Sequence, residues 1–173
     1  MESRDAVTAM AKLLAEPALL DLYERKREAA AELLRIDDKF RAAFLTWDVA
    51  KLRRQARGLV DKRRYEVSRF LPRTFERLGL RGERIFAEFA SARWPAGHRR
   101  HAADALAFAR WLRDRREPAW CAEEQARLEI LLGKFAFGVR LIANFASRRG
   151  PRRALVFLLR RKGRIRTFAV FLA

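Results

Sequence analysis

Cysteine and histidine are scarce in this chain of 173 residues, which has one cysteine, Cys121, and two histidines. A single cysteine excludes an intrachain disulfide and a zinc site built from several cysteines. No apolar run approaches the roughly 18 to 20 residues that a membrane-spanning helix needs. The first residues, Met1 to Asp5, do not have the pattern of a secretory signal. Together these absences predict a cytoplasmic protein with no membrane span.

Acidic residues are missing from the C-terminal quarter of the chain. The segment from Ile130 to Ala173 holds eleven Lys or Arg and no Asp or Glu. The whole chain carries a formal net charge of +18, from 39 basic and 21 acidic residues, so this segment supplies most of the excess. Such a charge favours anionic partners, namely nucleic acid, acidic proteins or peptides, and anionic lipid.

Motifs that carry catalysis are also absent. The sequence has no G-x-S-x-G nucleophile elbow, no phosphate-binding Walker loop and no G-x-G-x-x-G dinucleotide fingerprint. His98, His101 and Asp104 form an H-x2-H-x2-D pattern, but hydrogen bonds that hold a loop are the favoured interpretation over a metal site. Cys121 is expected to be a small buried residue. We therefore predict that the chain is not an enzyme and has no catalytic residues, no metal site and no cofactor.

Hydrophobic residues recur at helical spacing through the first three quarters of the chain. Capping residues, prolines and glycines delimit the segments. The predicted helices are one through Ala15 capped by Ser3 or Asp5, Pro17–Leu34, a short one from Asp37 or Asp38, Asp48–Leu71, Pro72–Leu78, Gly82–Ala92, Ala102–Arg113 and Pro118–Leu132. A loop is expected at Trp94–His98, where Pro and Gly break the pattern.

The Asp48–Leu71 segment has the clearest amphipathic pattern. Its predicted core side is made by Val49, Leu52, Ala56, Leu59, Val60, Val67 and Phe70. The opposite side holds Arg53, Arg54, Arg57, Asp61 and Arg64. Two interpretations of this basic side remain open, a surface that follows phosphates and an ordinary solvated helix face.

The period then changes from helix to strand. Alternating apolar residues predict strands at Phe135–Phe145, Ala154–Arg161 and Arg164–Leu172, with turns around Gly150 and Gly163. The expected fold class is α+β, mainly α. An N-terminal multi-helix domain, residues 1–133, is followed by a basic, β-rich C-terminal segment, residues 134–173, which forms a small antiparallel sheet or hairpin packed on it.

Both faces of the strand around Leu155–Leu159 are apolar, so one face can pack on the helices while the other needs a different cover. That cover can be the chain itself, a dimer partner or another protein. An exposed strand edge can also accept a strand from a peptide, and the flanking arginines would attract an acidic one. The alternative is an ordinary core hairpin with a basic rim. The candidate peptide- or partner-binding residues are Arg152, Arg153, Leu155, Phe157, Leu159, Arg160, Arg161, Arg164, Arg166 and Phe168.

Several short segments together resemble a known family. They are Leu13–Leu19, Gln55–Arg64, Leu71–Thr74 with Leu78–Gly79, Phe86–Ala90, Trp94–His101, Asp104–Phe108 and Ala126–Glu129. The pattern is similar to the small helical partner proteins of multinuclear non-heme iron-dependent oxidative enzymes, the HvfC/BufC type, once labelled DNA-binding, and more distantly the TglI and MbnC types. The resemblance covers about residues 10–130, and the strand-rich tail matches only in character.

The resemblance implies a non-catalytic subunit that acts as a peptide-modification chaperone. Such a partner forms a heterodimer with the iron enzyme, binds the leader of a ribosomally made precursor peptide, and presents the cysteines of that peptide for modification. The iron ligands belong to the enzyme, so no catalytic residues carry over to this chain.

A nucleic-acid-binding protein is the alternative, supported by the net charge and by the calculated pI of about 11.5. The sequence shows no helix-turn-helix or other base-reading motif in its favour. A protein of the membrane surface is less favoured because the basic helices lack a broad lipid-facing apolar stripe.

Overall fold

The fold combines a helical part with a small antiparallel sheet, which confirms the predicted α+β, mainly α, class. The computed structural model describes residues 6–92, 100–147, 150–161 and 164–172. The chain divides into two compact units, residues 1–64 with 87–94 and residues 65–86 with 95–173. The predicted boundary between residues 133 and 134 marks the change from helix to strand, and as a domain boundary it stays a prediction.

The helical elements precede the strands along the chain. The helices are α1 (Ala6–Ala15), α2 (Pro17–Arg25), α3 (Arg27–Leu34), α4 (Asp38–Leu45), α5 (Val49–Ser68), α6 (Pro72–Leu78), α7 (Gly82–Ser91), α8 (Arg100–Asp114) and α9 (Ala122–Leu131), with a 3-10 turn at Gly79–Arg81. The strands are β1 (Phe137–Ser147), β2 (Gly150–Arg161) and β3 (Arg164–Phe171).

Helix ends follow the predicted capping residues. The side chain of Asp37 accepts a hydrogen bond from the Lys39 amide, and that of Asp48 accepts one from the Ala50 amide at 2.8 Å. These carboxylates satisfy amides that have no partner inside the helix. Gly79, at φ +52°, follows the last residue of α6 as predicted. The predicted caps Ser3 and Asp5 and the loop at Trp94–His98 lie outside the described residues.

A core built around Tyr23 and Phe44 holds the first unit together. Both side chains are buried, and their rings meet edge to face at 5.0 Å. The Tyr23 hydroxyl donates to the Phe44 carbonyl at 2.6 Å, so its polar end is satisfied. Burial raises the pKa of this phenol above its ordinary value. Apolar residues of the first five helices, among them Leu13, Leu20, Leu34 and Leu52, complete the core.

Three phenylalanines of separate helices form the centre of the second unit. Phe86 and Phe108 are fully buried with ring centroids 5.1 Å apart, and Phe75 lies 5.6 Å from Phe108. Ala105 and Leu112 of α8 are buried as well, seven residues apart and so on the same side of the helix.

The prediction of a single helix over Pro17–Leu34 is wrong. The backbone at Lys26 leaves the helical region, with φ −148° and ψ 78°, and separates α2 from α3. The buried residues on either side, such as Tyr23 and Ala30, stay in helical phase across the break. A periodicity argument cannot detect an interruption that preserves the phase.

Other boundaries, among them the start of β2 at Gly150 rather than Ala154, and one core position also differ from prediction. The helix expected from Pro118 begins at Ala122, because a turn closed by Trp120 N–H to the Glu117 carbonyl precedes it. Helix α5 ends at Ser68 rather than at Leu71. Leu59, predicted to face the core, is 36% exposed.

The strands form one sheet in the order β1-β2-β3, with both pairs antiparallel. This confirms the three predicted strands, although β1 begins at Phe137 rather than Phe135. One face packs on α9 through Ala126 and Ile130, which contact a cluster that includes Val156 and Leu158. At Gly138 an added Cβ would lie 3.5 Å from the Ile130 side chain, an ordinary van der Waals distance, so β1 lies close to α9 at this position.

Candidate protein-binding surface

The register of the strands decides which side chains share each face of the sheet. Side chains alternate along a strand, and directly opposite residues of antiparallel strands lie on the same face. Ala154, Val156 and Leu158 of β2 are buried at 0 to 1% exposure, so the even positions of β2 mark the covered face. The odd positions of β2 and their ladder partners mark the opposite face.

Eight apolar residues lie on that opposite face, which we call the open face. They form three cross-strand rows: Leu141, Leu155 and Val170; Val139, Phe157 and Phe168; and Phe137 and Leu159, whose third partner is Arg166. The apolar part of the open face thus extends across all three strands.

The open face is exposed to an extent that is unusual for such residues. Phe137 is 66% exposed, Phe168 55% and Phe157 38%. The three phenylalanines alone present about 300 Å², since an aromatic side chain can bury 150–250 Å². Leu141 and Val170 are also more than half exposed. The largest apolar patch of a typical monomer is about 300–600 Å², and patches of this size or more mark interaction sites.

Arginines border the open face. Arg153, Arg164 and Arg166 lie on this face by the register, and all three are exposed. Arg153, Arg164 and Arg166 have no ion-pair partner among the described residues, in keeping with a segment that has no carboxylate side chain of its own. The surface therefore combines an apolar centre with positive charge that the sheet itself does not neutralise.

The ten predicted binding residues divide between the two faces. The open face holds Arg153, Leu155, Phe157, Leu159, Arg164, Arg166 and Phe168. Arg152 and Arg160 belong to the covered side of β2, where Arg160 donates to the Ile130 carbonyl at 3.4 Å. For Arg161 the structure gives only the backbone pairing with Arg164. Their role in binding stays a prediction.

Sequence reasoning missed four residues of the open face, Phe137, Val139, Leu141 and Val170. The signal was present, since the alternation in the outer strands places these residues on one face of each strand. Which faces combine depends on the pairing register, and β1 carries an irregularity between Ile142 and Phe145 that no local pattern reveals.

The edges of the sheet differ from its faces in what they can bind. Strand β2 is central, so both of its edges are paired, and the outer strands are β1 and β3. A peptide strand can therefore be added only beside an outer strand, not beside Arg152–Arg161. Arg164 and Arg166 lie on β3 and flank such an edge directly.

Cys121 and the histidine motif are the other candidate sites that the sequence contains. Cys121 is buried, and burial raises the pKa of its thiol, which disfavours the nucleophilic thiolate. His98 lies outside the described residues, and the buried Nδ1 of His101 has no hydrogen-bond partner among those described. No cluster of three or more metal-ligating side chains occurs in the described ranges.

The basic side of α5 contains arginines that already bind carboxylates. Arg53 donates to Asp21 at 2.9 Å and also to Glu24. Arg64 lies 3.6 Å from Asp61. These ion pairs support the interpretation of a solvated helix face over one that follows phosphates.

Three buried glutamates in α9 have structural partners that the sequence did not predict. Glu124 accepts the amides of Arg73 at 2.7 Å and Thr74 at 3.1 Å, and the Thr74 hydroxyl at 2.7 Å. Glu123 pairs with Arg73, and Glu129 accepts from Arg110 at 2.9 Å. Because their oxygens hold α6 and α8 in place, we assign these carboxylates to stability rather than to chemistry.

Comparison with known proteins gives one partial match. The family model described as SCO6045-like, C-terminal domain, matches residues 46–114, which is less than half of the chain and runs from α5 to α8. No curated protein and no solved structure matches. The matched segment ends before the sheet, so the open face lies outside it. Among the described helices, none has the length and apolar character needed to cross a bilayer.

Proposed function

We propose that this chain is a non-catalytic partner subunit of a multinuclear iron-dependent oxidative enzyme. In this role it binds the leader of a ribosomally made precursor peptide, acidic or cysteine-containing, and presents the peptide for cysteine modification. The observation that carries the proposal is a sheet that combines an exposed apolar face with an outer strand, β3, flanked by arginines that no carboxylate of that sheet neutralises. A surface of this kind is suited to binding and offers no group that makes or breaks bonds.

The outer edge of β3 is the proposed position of the leader. An extended peptide can form main-chain hydrogen bonds with a strand edge, and its side chains then alternate toward the two faces. Arg164 and Arg166 flank this edge and would steer an acidic leader toward it. Holding the peptide beside the enzyme raises its effective concentration at the iron, which is how a subunit without catalytic residues accelerates a reaction.

The resemblance of residues 10–130 to helical partner proteins supports the same role. In that family the iron ligands come from the enzyme, which agrees with a chain that we expect to act without a metal of its own. The SCO6045-like match lies inside this stretch. The matched family is of uncertain function, so the match is evidence neither for nor against the proposal.

Charge reversal at the β3 end of the sheet tests the leader site. Arg164 and Arg166 are changed together to Glu, and binding of an acidic precursor leader peptide is measured by fluorescence anisotropy. We expect affinity to fall about tenfold or more, since like-charge contacts at an interface cost several kcal/mol. The matched control reverses Arg54 and Arg57, which are exposed on α5. Unchanged affinity in the first variant would contradict this placement of the leader.

Nucleic-acid binding is the second candidate, and the open face supplies an observation in its favour. Exposed phenylalanines on a sheet surface can stack on unpaired bases, and nearby arginines can bind phosphates. This function predicts tight binding of a single-stranded oligonucleotide, with an affinity that falls steeply as salt is raised. Substituting Phe157 and Phe168 by Leu would then weaken binding, because stacking is lost while the surface stays apolar.

A further inference from the structure

The open face is too large and too apolar to be left uncovered in a working assembly. Its eight apolar residues run across three strands, and five of them are aliphatic. A strand added at an edge would leave this face unchanged, because edge pairing uses main-chain groups beside the sheet rather than side chains above it. Leader binding at β3 therefore does not account for the open face.

We infer that the open face binds an amphipathic helix of a partner protein, with an apolar stripe bordered by Asp and Glu. The inference rests on the proposed function for the partner's identity, which would then be the iron enzyme.

The dimensions of the open face match a helix. Neighbouring strands are about 4.8 Å apart, so the outer strands lie about 10 Å apart, close to the 10–12 Å diameter of a helix with its side chains. Leu155, Phe157 and Leu159 are spaced along β2 over about 14 Å, since a strand rises roughly 3.4 Å per residue. A helix covers that length with about nine residues, enough for apolar anchors at positions i, i+3, i+4 and i+7.

Charge selects an acidic partner and disfavours a second copy of this chain. Each copy carries eleven basic and no acidic residues between Ile130 and Ala173. Two open faces packed together would bring the two sets of arginines, including Arg153 and Arg166, into proximity without any carboxylate from either sheet. An acidic helix would place its carboxylates against the same arginines. This charge complementarity raises the association rate and favours one orientation of the helix on the open face.

The composition of the open face disfavours nucleic acid as its occupant. Aliphatic side chains such as Leu141 and Val170 pack well against other aliphatic groups but offer no ring on which a base can stack. Arg166 lies at the end of one row, and Arg153 and Arg164 lie beyond the rows along their strands, so none of the three lies between the phenylalanines of the central row. A helix with leucines on its inner side matches this arrangement more closely than a row of bases does.

The test uses the full chain and three synthetic 18-residue peptides. The first has Leu along one helical side and Glu elsewhere, the second has the same composition in an order without a stripe, and the third replaces Glu by Lys. We expect the first peptide to bind at least about tenfold more tightly than the other two at physiological salt, as measured by calorimetry. Equal binding of the first two peptides would show that charge alone is recognised, and would overturn the inference.

Matched variants locate the binding site. Leu141 on the open face is 65% exposed, and Leu33 on α3 is 66% exposed, so Leu141→Glu and Leu33→Glu make the same change at equal exposure. We expect Leu141→Glu to weaken the first peptide about tenfold or more and Leu33→Glu to leave its affinity unchanged. Equal affinity in the two variants would overturn the inference. A wild-type experiment that needs no substitution is photo-crosslinking from the apolar stripe of the peptide, which should label residues 137–141, 155–159 or 166–170.

Other occupants give different results, each of which counts against the inference. A wild-type dimer in sedimentation that Leu141→Glu converts to monomer would assign the face to a second copy. Loss of oligonucleotide binding in Leu141→Glu but not in Leu33→Glu would assign the open face to nucleic acid. The same pattern with vesicles that contain about 30% anionic lipid would assign the open face to a membrane surface. An iron-enzyme complex that survives Leu141→Glu would leave the proposed function standing without this docking mode. Conversely, if the first peptide binds the open face but no iron-enzyme complex forms, the docking mode stands and the proposed function falls.

Discussion

Arginine has different surroundings in the helices and in the C-terminal sheet. In the helices Arg53 binds Asp21 and Glu24, Arg73 binds Glu123, and Arg110 binds Glu129. In the sheet, Arg153, Arg164 and Arg166 have no carboxylate partner among the described residues. The first set of arginines serves the fold of this chain, and the second set leaves its charge for something outside it.

Phenylalanine shows the same contrast. Phe44, Phe86 and Phe108 of the helices are at most 1% exposed, whereas Phe137 and Phe168 of the sheet are more than half exposed. Buried aromatic rings stabilise the helical cores, while exposed ones on the sheet contribute little to folding. The comparison separates residues that maintain the structure from residues that are available for binding, and it can be tested by substitution.

Substitutions on the two faces of β2 should give the largest difference in the free energy of unfolding between neighbouring positions. Leu158 is 1% exposed beneath α9, and Leu159 is 43% exposed on the open face. We expect Leu158→Ala to lower the free energy of unfolding by about 2–5 kcal/mol, because it leaves a cavity. The same change at Leu159 should cost less than about 1 kcal/mol. Urea unfolding of both variants measures the difference, and equal losses would contradict the assignment of the faces.

Removal of a buried carboxylate in the helices should have the next largest effect on the free energy of unfolding. In Glu124→Ala the amides of Arg73 and Thr74 and the Thr74 hydroxyl lose their acceptor, so we expect a loss of about 2 kcal/mol. Glu76→Ala is the control, since Glu76 is exposed on α6. Its effect should stay within about 0.5 kcal/mol. If the two substitutions were equivalent in thermal unfolding, the structural role of Glu124 would be refuted.

Arginine substitutions should give the smallest effects on stability and compare the two regions directly. Arg53→Gln removes two exposed ion pairs and should lower the midpoint of thermal unfolding slightly at low salt, an effect that added salt reduces. Arg164→Gln and Arg166→Gln have no carboxylate partner to lose among the described residues, and lowering the charge of the sheet should leave stability unchanged or slightly raised. A loss at Arg164 or Arg166 as large as that at Arg53 would indicate an intrachain partner for the sheet arginines.

The sequence predicted the elements that depend on local patterns. Period 3.6 identified the helices, capping residues such as Asp37 and Asp48 marked their starts, and period 2 identified the three strands. The interruption at Lys26 was missed because the apolar phase continues through it. The turn before Ala122 was missed because Pro118 is as suited to a turn as to the first position of a helix.

The binding surface was predictable only in part, because it depends on pairing between distant segments. Phe157 and Phe168 were found from the alternation of β2 and β3, whereas Leu141 and Val170 join them only through the register. The contacts of Glu124 span about fifty residues of sequence and carry no local signature. Long-range contacts of this kind leave no periodic pattern in the sequence, so they could not be predicted from it.

Co-purification with a multinuclear iron-dependent oxidative enzyme of the proposed class tests the central claim most directly. The two proteins are expressed together and purified in salt high enough to remove nucleic acid, and the iron content and stoichiometry of the product are measured. We predict a stoichiometric, iron-containing complex that Leu141→Glu disrupts and Leu33→Glu does not. Recovery of this chain alone, which rebinds DNA or RNA when the salt is lowered, would contradict the claim.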